Sequence, residues 1–455
     1  MGNRKKLMLC FLLFACSNLM GQKAYNLQSC IRYALENNNN IRKTHLDVEK
    51  SAQARREVTG ALLPQISGSG SLNDNFQKAK FIMPNFMKEF LPPSMLDPNA
   101  SDYMTIEMGL NYSTAIGAGL NQQILNFSLF NALDIAKTAE SLSALAVDAK
   151  EEDVIAQTAN LFYAVQVTGY AVEMFGRSIN IIDSMLTTME VSYANGLVKK
   201  VDLDRLKVTK TNLMTQRTAM QSAIGVQKNL LKLQMGLDVN KPVEIEKINL
   251  EIFENQLKSP YEQAFSLNSQ TAYKILEKQA GLTQLKRKSA VYESYPVLTA
   301  MASYNYNGVS NKFFTGETTY WYPTSMVGLS LRVPIFGGLS RSAKIKQADI
   351  EIQKVGEDVV SLGQTLNMAF NNALLKLEDN RRTIQVQRDN MALAEDVYRI
   401  SESNFSQGLA SMTDVLNASN SLIQSQMNYA DALGNFMKSW IELQKSNGTI
   451  RSLVE

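Results

Sequence analysis

The chain repeats itself, and this duplication restricts its fold more than any single motif does. The first half runs through residues 65–76, 106–125, a long helical stretch, then Asn195-Gly196-Leu197 and Val201-Asp202-Leu203. The second half runs through residues 297–307, 327–336, a long helical stretch, then Gln407-Gly408-Leu409 and Thr413-Asp414-Val415. The copies are offset by about 232 residues at the first strand and about 212 at the Gly-Leu turns, and a longer loop in the first copy takes up most of the difference. A period of that length sets the architecture before any local reading does. The repeats occupy 22–250 and 251–455, behind an N-terminal segment 1–21.

Each copy predicts two strands, at about 65–76 and 105–125 in the first and about 297–307 and 326–336 in the second. The stretch 106–124 carries the strongest signal. Ile106, Met108, Leu110, Tyr112, Ile116, Ala118, Leu120 and Ile124 fall on even positions, whereas Glu107, Gly109, Asn111, Ser113, Gly117, Gly119 and Asn121 fall on odd ones. A period of two sends these sets to opposite faces, and the run is long enough for a tilted strand to cross a bilayer. In the second copy Leu298, Ala300, Ala302, Tyr304 and Tyr306 alternate with Thr299, Met301, Ser303, Asn305 and Asn307. Tyr304, Tyr306, Phe313, Phe314, Tyr320, Trp321 and Tyr322 gather around the second hairpin, as membrane interfaces favour. Residues 77–104, with Pro84, Pro92, Pro93 and Pro98, read as a long loop.

The remaining sequence is helical. A first helix over about 27–57 is ended by Ala61-Leu62-Leu63-Pro64, because proline disfavours helix in the residue before it. Its duplicate covers about 261–292. Residues 129–194 contain no proline and would span on the order of 100 Å as a helix. Their seam, Leu161, Val165, Thr168, Val172, Phe175, Ile179, Ile182, Leu186 and Met189, steps by fours and threes, the coiled-coil pattern. The matching stretch 342–406 repeats Leu377, Ile384 and Met391 at sevens, and shorter helices follow at about 202–235 and 413–445.

Composition sets the compartment. Arg4, Lys5 and Lys6 precede an apolar core, Leu7 to Ala15, that is too short to span a bilayer, and small residues follow. This is a secretory signal, read either as cleaved near Gly21 or as a lipobox ending at Cys16, which would carry a lipid. Loss of the signal takes the formal charge from +3 to about zero, so the basic balance implies no nucleic-acid partner. Cys10 and Cys16 lie in the signal; Cys30 alone remains, which rules out an intrachain disulfide in the mature chain. Outside the N-terminus no run of 18 apolar residues occurs, so no transmembrane helix is expected.

Strands in a bilayer must close into a barrel, because edge groups facing lipid find no hydrogen-bond partner. Four strands cannot close, since the smallest barrels have about eight. Several chains must therefore pool their strands, and two, three or four copies would all give even counts. The competing reading is a soluble periplasmic coiled-coil scaffold, in which the alternating segments are core strands.

The chain resembles the TolC-type outer-membrane efflux family over nearly its whole mature length. The resemblance rests on the duplicated halves, on Ala61-Leu62-Leu63-Pro64 and its counterpart Tyr295-Pro296, on Val333-Pro334-Ile335-Phe336-Gly337-Gly338, and on the paired Gly-Leu turns. It implies an α+β membrane protein: a trimeric 12-stranded β-barrel continued by a periplasmic α-helical coiled-coil tunnel. It implies a passive outer-membrane exit duct of an efflux or secretion system, opened at its periplasmic tip by an inner-membrane pump and a periplasmic adaptor. Gly196, Leu197, Gly408 and Leu409 then correspond to the tip turns. Asp414 matches an acidic residue that narrows the aperture, Asn417 replaces the next acid, and Asp202 matches an acidic partner in the network that holds the tip shut. The family's arginine and tyrosine positions are Ala410 and Phe405 here, which leaves Lys199 and Lys200 as candidate substitutes. Both aspartates also suit capping of a helix start.

No enzymatic constellation is evident, and no cofactor or metal site is expected. The single histidine, His45, lies among Lys43, Asp47 and Glu49 on a helix. No Gly-x-x-x-x-Gly-Lys-Ser/Thr loop occurs. Glu151, Glu152 and Asp153 read as a solvated helix face.

Overall fold

The computed structural model describes residues 24–90, 92, 95, 101–250, 257, 264–313 and 319–454. The expected signal segment 1–21 with Cys16, the expected helix start near residue 261, and Phe314 lie outside the described residues. The elements run α1 (Leu27–Asn37), α2 (Asn39–Gly60), β1 (Gln65–Asp74), β2 (Ala79–Pro84), α3 (Met87–Phe90), β3 (Tyr103–Met108), β4 (Tyr112–Leu125), α4 (Phe127–Ala194), α5 (Lys200–Met235), α6 (Thr271–Tyr292), β5 (Val297–Ser310), β6 (Tyr320–Arg332), α7 (Ser340–Ser406) and α8 (Met412–Ser446). They form two compact units, one built from Ser51–Glu140 and Gly281–Gln353 and the other from the rest of the described chain.

The first unit holds an antiparallel four-stranded sheet in the order β1-β4-β5-β6. The central pairing, β4 with β5, joins one copy of the repeat to the other. Directly opposed residues share a face, so the register sorts the sheet chemically. One face carries the rows Ile66-Leu120-Ala302-Val327 and Gly70-Ile116-Tyr306-Pro323, with Leu329 and Leu331 beyond them. The other carries Ser67-Gly119-Ser303-Met326 and Ser69-Gly117-Asn305-Thr324. A Cβ at Gly117 would lie 2.0 Å from the Asn305 side chain, so glycine is what lets that amide stand in the polar face. A soluble core would cover the apolar face, yet Ile66, Val327 and Leu329 are exposed, and every residue of β1 is exposed.

Three expectations need correction here. Residues 77–104 are not one loop, because β2 and β3 pair as a separate two-stranded ribbon. The strand foreseen from 105 to 125 is broken between β3 and β4 at Gly109, whose φ of +98° turns the chain. A run of alternating residues cannot reveal that break, because the alternation resumes on its far side. The helix foreseen over 27–57 is likewise two helices. Asn38 separates them: its side chain caps α2 by accepting from the Asn40 and Ile41 amides and donates to the Gln234 carbonyl at 2.7 Å.

In the second unit α4, α5, α7 and α8 pack around buried clusters. One joins Tyr170, Met174, Phe370, Leu377, Ile384, Leu433 and Phe436. Another joins Phe175, Ile179, Ile182, Leu186 and Met189 of α4 to Leu203, Leu206 and Leu213 of α5, Tyr398 of α7 and Val415 of α8. The sevenfold repeat in α7 extends beyond Leu377 and Ile384 to Phe370 and Tyr398, all buried. On α4 the buried stripe is wider than a two-helix seam: Tyr170, Met174 and Ser178 are buried beside Ala171, Phe175 and Ile179. Thr168, the polar member of that seam, accepts from the Gln227 amide at 3.0 Å. Cys30 and Ala34 of α1 dock against Val154, Phe162, Leu231 and Met235, and burial pushes the Cys30 thiol up to about 12.

Glu151, Glu152 and Asp153 are not simply a solvated face. Arg451 pairs with Asp148 at 2.9 Å and Glu151 at 3.0 Å, Lys445 pairs with Asp153 at 2.6 Å, and Thr271 donates to Glu152 at 2.5 Å. The acidic run thus holds the C-terminal segment, over a sequence separation that no local pattern could show.

The sheet makes a direct test available. A cysteine at Leu329 should be labelled by a lipid-phase probe, and one at Ser303 by a water-soluble thiol reagent. Equal labelling of both positions by either probe would show that the two faces do not meet different solvents.

Candidate functional site

The two Gly-Leu turns share one backbone design. After α4, the Gly196 amide donates to Tyr193 O at 2.9 Å and the Leu197 amide to Ser192 O at 2.9 Å. After α7, the Gly408 amide donates to Phe405 O at 3.0 Å and the Leu409 amide to Asn404 O at 2.8 Å. Both glycines are left-handed, with φ of +72° and +74°. These are Schellman ends, which satisfy the last helix carbonyls and normally tuck the following apolar residue against the helix. The same bonds end α5, where Gly236 has φ of +74° and Leu237 does pack against a buried cluster. At the two turns the leucines do not tuck in: Leu197 is 76% exposed and Leu409 74%.

The helices leaving the turns start differently. Ser411 opens α8 with a reciprocal capping box: its hydroxyl accepts from the Asp414 amide at 3.3 Å, and its own amide donates to Asp414 Oδ2 at 2.9 Å. The Ser411 hydroxyl also donates to Asp414 Oδ2 at 2.6 Å. Donation first from that hydroxyl and then from the Ser411 amide holds the Asp414 carboxyl below the ordinary aspartate value. Lys199, at the equivalent position before α5, makes no side-chain cap. There, Arg205 Nη1 instead reaches Asp202 at 3.4 Å and donates to Thr413 Oγ1 at 3.0 Å. Arg205, rather than Lys199 or Lys200, therefore links the start of α5 to the start of α8. Its spacing three residues after Asp202 was a legible helix-face pair, whereas its bond to Thr413 was not.

Asp414 and Asn417 are exposed on α8, and they begin a longer pattern. Asp414, Asn417, Ser421, Gln424, Asn428, Asp431, Asn435, Lys438 and Glu442 step by threes and fours along one face. All are polar, and all are exposed or half-buried. The opposite face buries Val415, Leu422, Tyr429, Leu433 and Phe436. One helix thus presents a continuous hydrated wall down its length, with carboxylates at its start and further along. Three carboxylates brought around one axis would attract cations and constrain passage.

The chain matches the family described as "Outer membrane efflux protein" over residues 30–224 and 279–449. It is similar to the outer membrane protein TolC of Escherichia coli (strain K12), with 20% identity over 451 residues, covering 94% of this chain and 83% of that protein. It is also similar to the proteases secretion protein PrtF of Dickeya chrysanthemi, with 21% identity over 257 residues, covering 54% of this chain and 52% of that one. Among solved structures, the outer membrane protein VceC of Vibrio cholerae has the same fold, with a TM-score of 0.70 at 14% identity, over 93% of this chain and 96% of that one.

Removal of the cap isolates its contribution. Ser411→Ala should cost about 1 kcal/mol at the first turn of α8 and return the Asp414 pKa towards its ordinary value. Because the folded pKa is lowered, the capping contribution is complete above the ordinary aspartate range and is lost as pH falls through the lowered value. Amide hydrogen exchange over 412–416 against pH reports both effects; identical profiles in the variant and its parent would show that the box is not a stabilising element.

Proposed function

This chain belongs to the outer membrane efflux protein family, and on that premise we propose that three copies assemble into the duct, which an adaptor and an inner-membrane pump engage at the helix turns. The protein is an outer-membrane channel with a large periplasmic part, the exit duct of an efflux or secretion system. The observation that carries the assembly is the sheet: its two faces differ in chemistry, while among the described residues β1 and β6 have no neighbour on their outer sides. Burying those outer backbone groups in lipid would cost several kcal/mol for each unsatisfied group. Three copies of four strands close the sheet, so that the face with Ser69, Gly117, Asn305 and Thr324 encloses water and the face with Ile116, Tyr306 and Leu329 meets lipid. Conduction is passive, and the energy comes from the pump, consistent with the absence of a nucleotide-binding loop from the sequence.

The polar stripe of α8 lines the helical part of the duct, and Asp414 with Asn417 forms its narrow end. The Asp202–Arg205–Thr413 link holds α5 against α8 and keeps that end closed at rest. Arg205 is half exposed, so water screens the ion pair. Together with the hydroxyl bond, the link should contribute about 1 kcal/mol, a several-fold bias towards the closed state. The exposed Leu197 and Leu409 are the surface that the adaptor covers, since the same backbone motif at Gly236 packs its leucine against a buried cluster.

Protein purified from outer membrane should run as a heat-sensitive trimer and conduct in planar bilayers. Asp414→Ala should raise conductance and weaken block by trivalent cations, and Arg205→Ala should raise the open fraction several-fold. A monodisperse single subunit without ion flow would refute the assembly. Unchanged conductance and block in Asp414→Ala would reduce that residue to a cap.

Combining Leu197→Asp with Leu409→Asp should abolish export in cells while trimer formation and bilayer conductance persist. Full export by that double variant would place the adaptor elsewhere.

A further inference from the structure

The β2–β3 ribbon leaves the sheet at the Asp74 and Tyr112 ends of β1 and β4, the ends away from α2 and α4. With the helices in the periplasm, the ribbon stands at the mouth that opens outside the cell. Its register pairs Ala79 with Met108, Phe81 with Ile106 and Met83 with Met104, so one face is wholly apolar. Phe81, Ile106 and Met108 on that face are exposed. The other face holds the Lys80–Glu107 ion pair, with Thr105 opposite the exposed Ile82 beyond it. The base is fixed to the sheet: the Asn75 amide donates to Asn111 O at 2.7 Å, and its side chain donates to Leu110 O at 3.0 Å.

An amphipathic ribbon fixed at its base needs a cover for its apolar face. Anionic lipid headgroups are a poor candidate, because Lys80 and Lys88 are already paired with Glu107 and Asp102. A second copy is a better one. The ribbon continues directly from β1, the strand whose free edge must meet the next subunit. Twelve strands about 4.8 Å apart and tilted by about 40° close at a diameter of about 24 Å. Six residues per strand at about 3.3 Å each reach about 20 Å, farther than the radius of about 12 Å. Three such ribbons can therefore meet over the lumen.

We propose that the ribbons of three copies pack their Phe81, Ile106 and Met83 faces against one another across the outer mouth. The proposal rests on the trimeric duct, and the test separates the two. In a Cys30→Ser background, Phe81→Cys and Ile106→Cys should be joined between subunits by a short bifunctional thiol reagent on intact cells, whereas Lys80→Cys should not. Phe81→Asp combined with Ile106→Asp should place like charges together and raise single-channel conductance several-fold. If a heat-sensitive trimer forms but Phe81→Cys labels from the lipid phase without cross-linking, the face lies on the bilayer and the proposal fails while the duct stands. Equal cross-linking at Lys80, or unchanged conductance in the charged variant, also overturns it. If no trimer forms, both readings fall.

Discussion

The structure depends on the need to pair backbone groups where water is absent. A strand edge in hydrocarbon leaves amides and carbonyls without partners, and no side-chain adjustment can supply them. Within one chain the requirement is met between β1 and β4, β4 and β5, and β5 and β6. Among the described residues it is not met outside β1 and β6. The duplication serves this requirement, because the central ladder is built between the halves rather than within either. Each copy supplies two strands, and the β4–β5 ladder turns two marginal hairpins into one panel.

The same logic orders the helices. An exposed apolar stripe on α7, including Met368, Leu375, Leu393 and Ile400, has no cover among the described residues, although the opposite stripe at Phe370, Leu377, Ile384 and Tyr398 is buried. A helix that is apolar on two sides has a partner on each. In the proposed trimer this second side faces the neighbouring subunit, as the outer edge of the sheet does. The helices and strands thus state the same incompleteness in different currencies: packing area in one, hydrogen bonds in the other.

How far the sequence could be read follows from the range of each interaction. Period-two alternation in β4 and sevenfold repetition in α7 are local, so they were legible and predicted both the faces and the seams. Gly109 was visible as a residue but not as a break, since alternation continues past it. The Asn38 cap draws on Gln234, Arg205 on Thr413, and Arg451 on Asp148 and Glu151. Each of these contacts joins segments that no spacing rule connects. The tip turns were legible as glycine ends, but that Leu197 and Leu409 stand free while Leu237 packs became visible only with the neighbours in place.

The duplicated tips are alike in how they end a helix and unlike in how they begin the next. After Gly408, the Ser411–Asp414 box satisfies the first amides of α8 from within four residues, so that helix start is rigid by itself. After Gly196, α5 has no side-chain cap, and its start is held through Arg205 to Thr413. Loss of that contact removes a tie between α5 and α8 and leaves α8 capped, while Leu203 and Leu206 still anchor α5 in the buried cluster. Duplication supplied two equivalent helical pairs, and a difference of a few residues at their starts gives one a cap of its own and ties the other through Arg205.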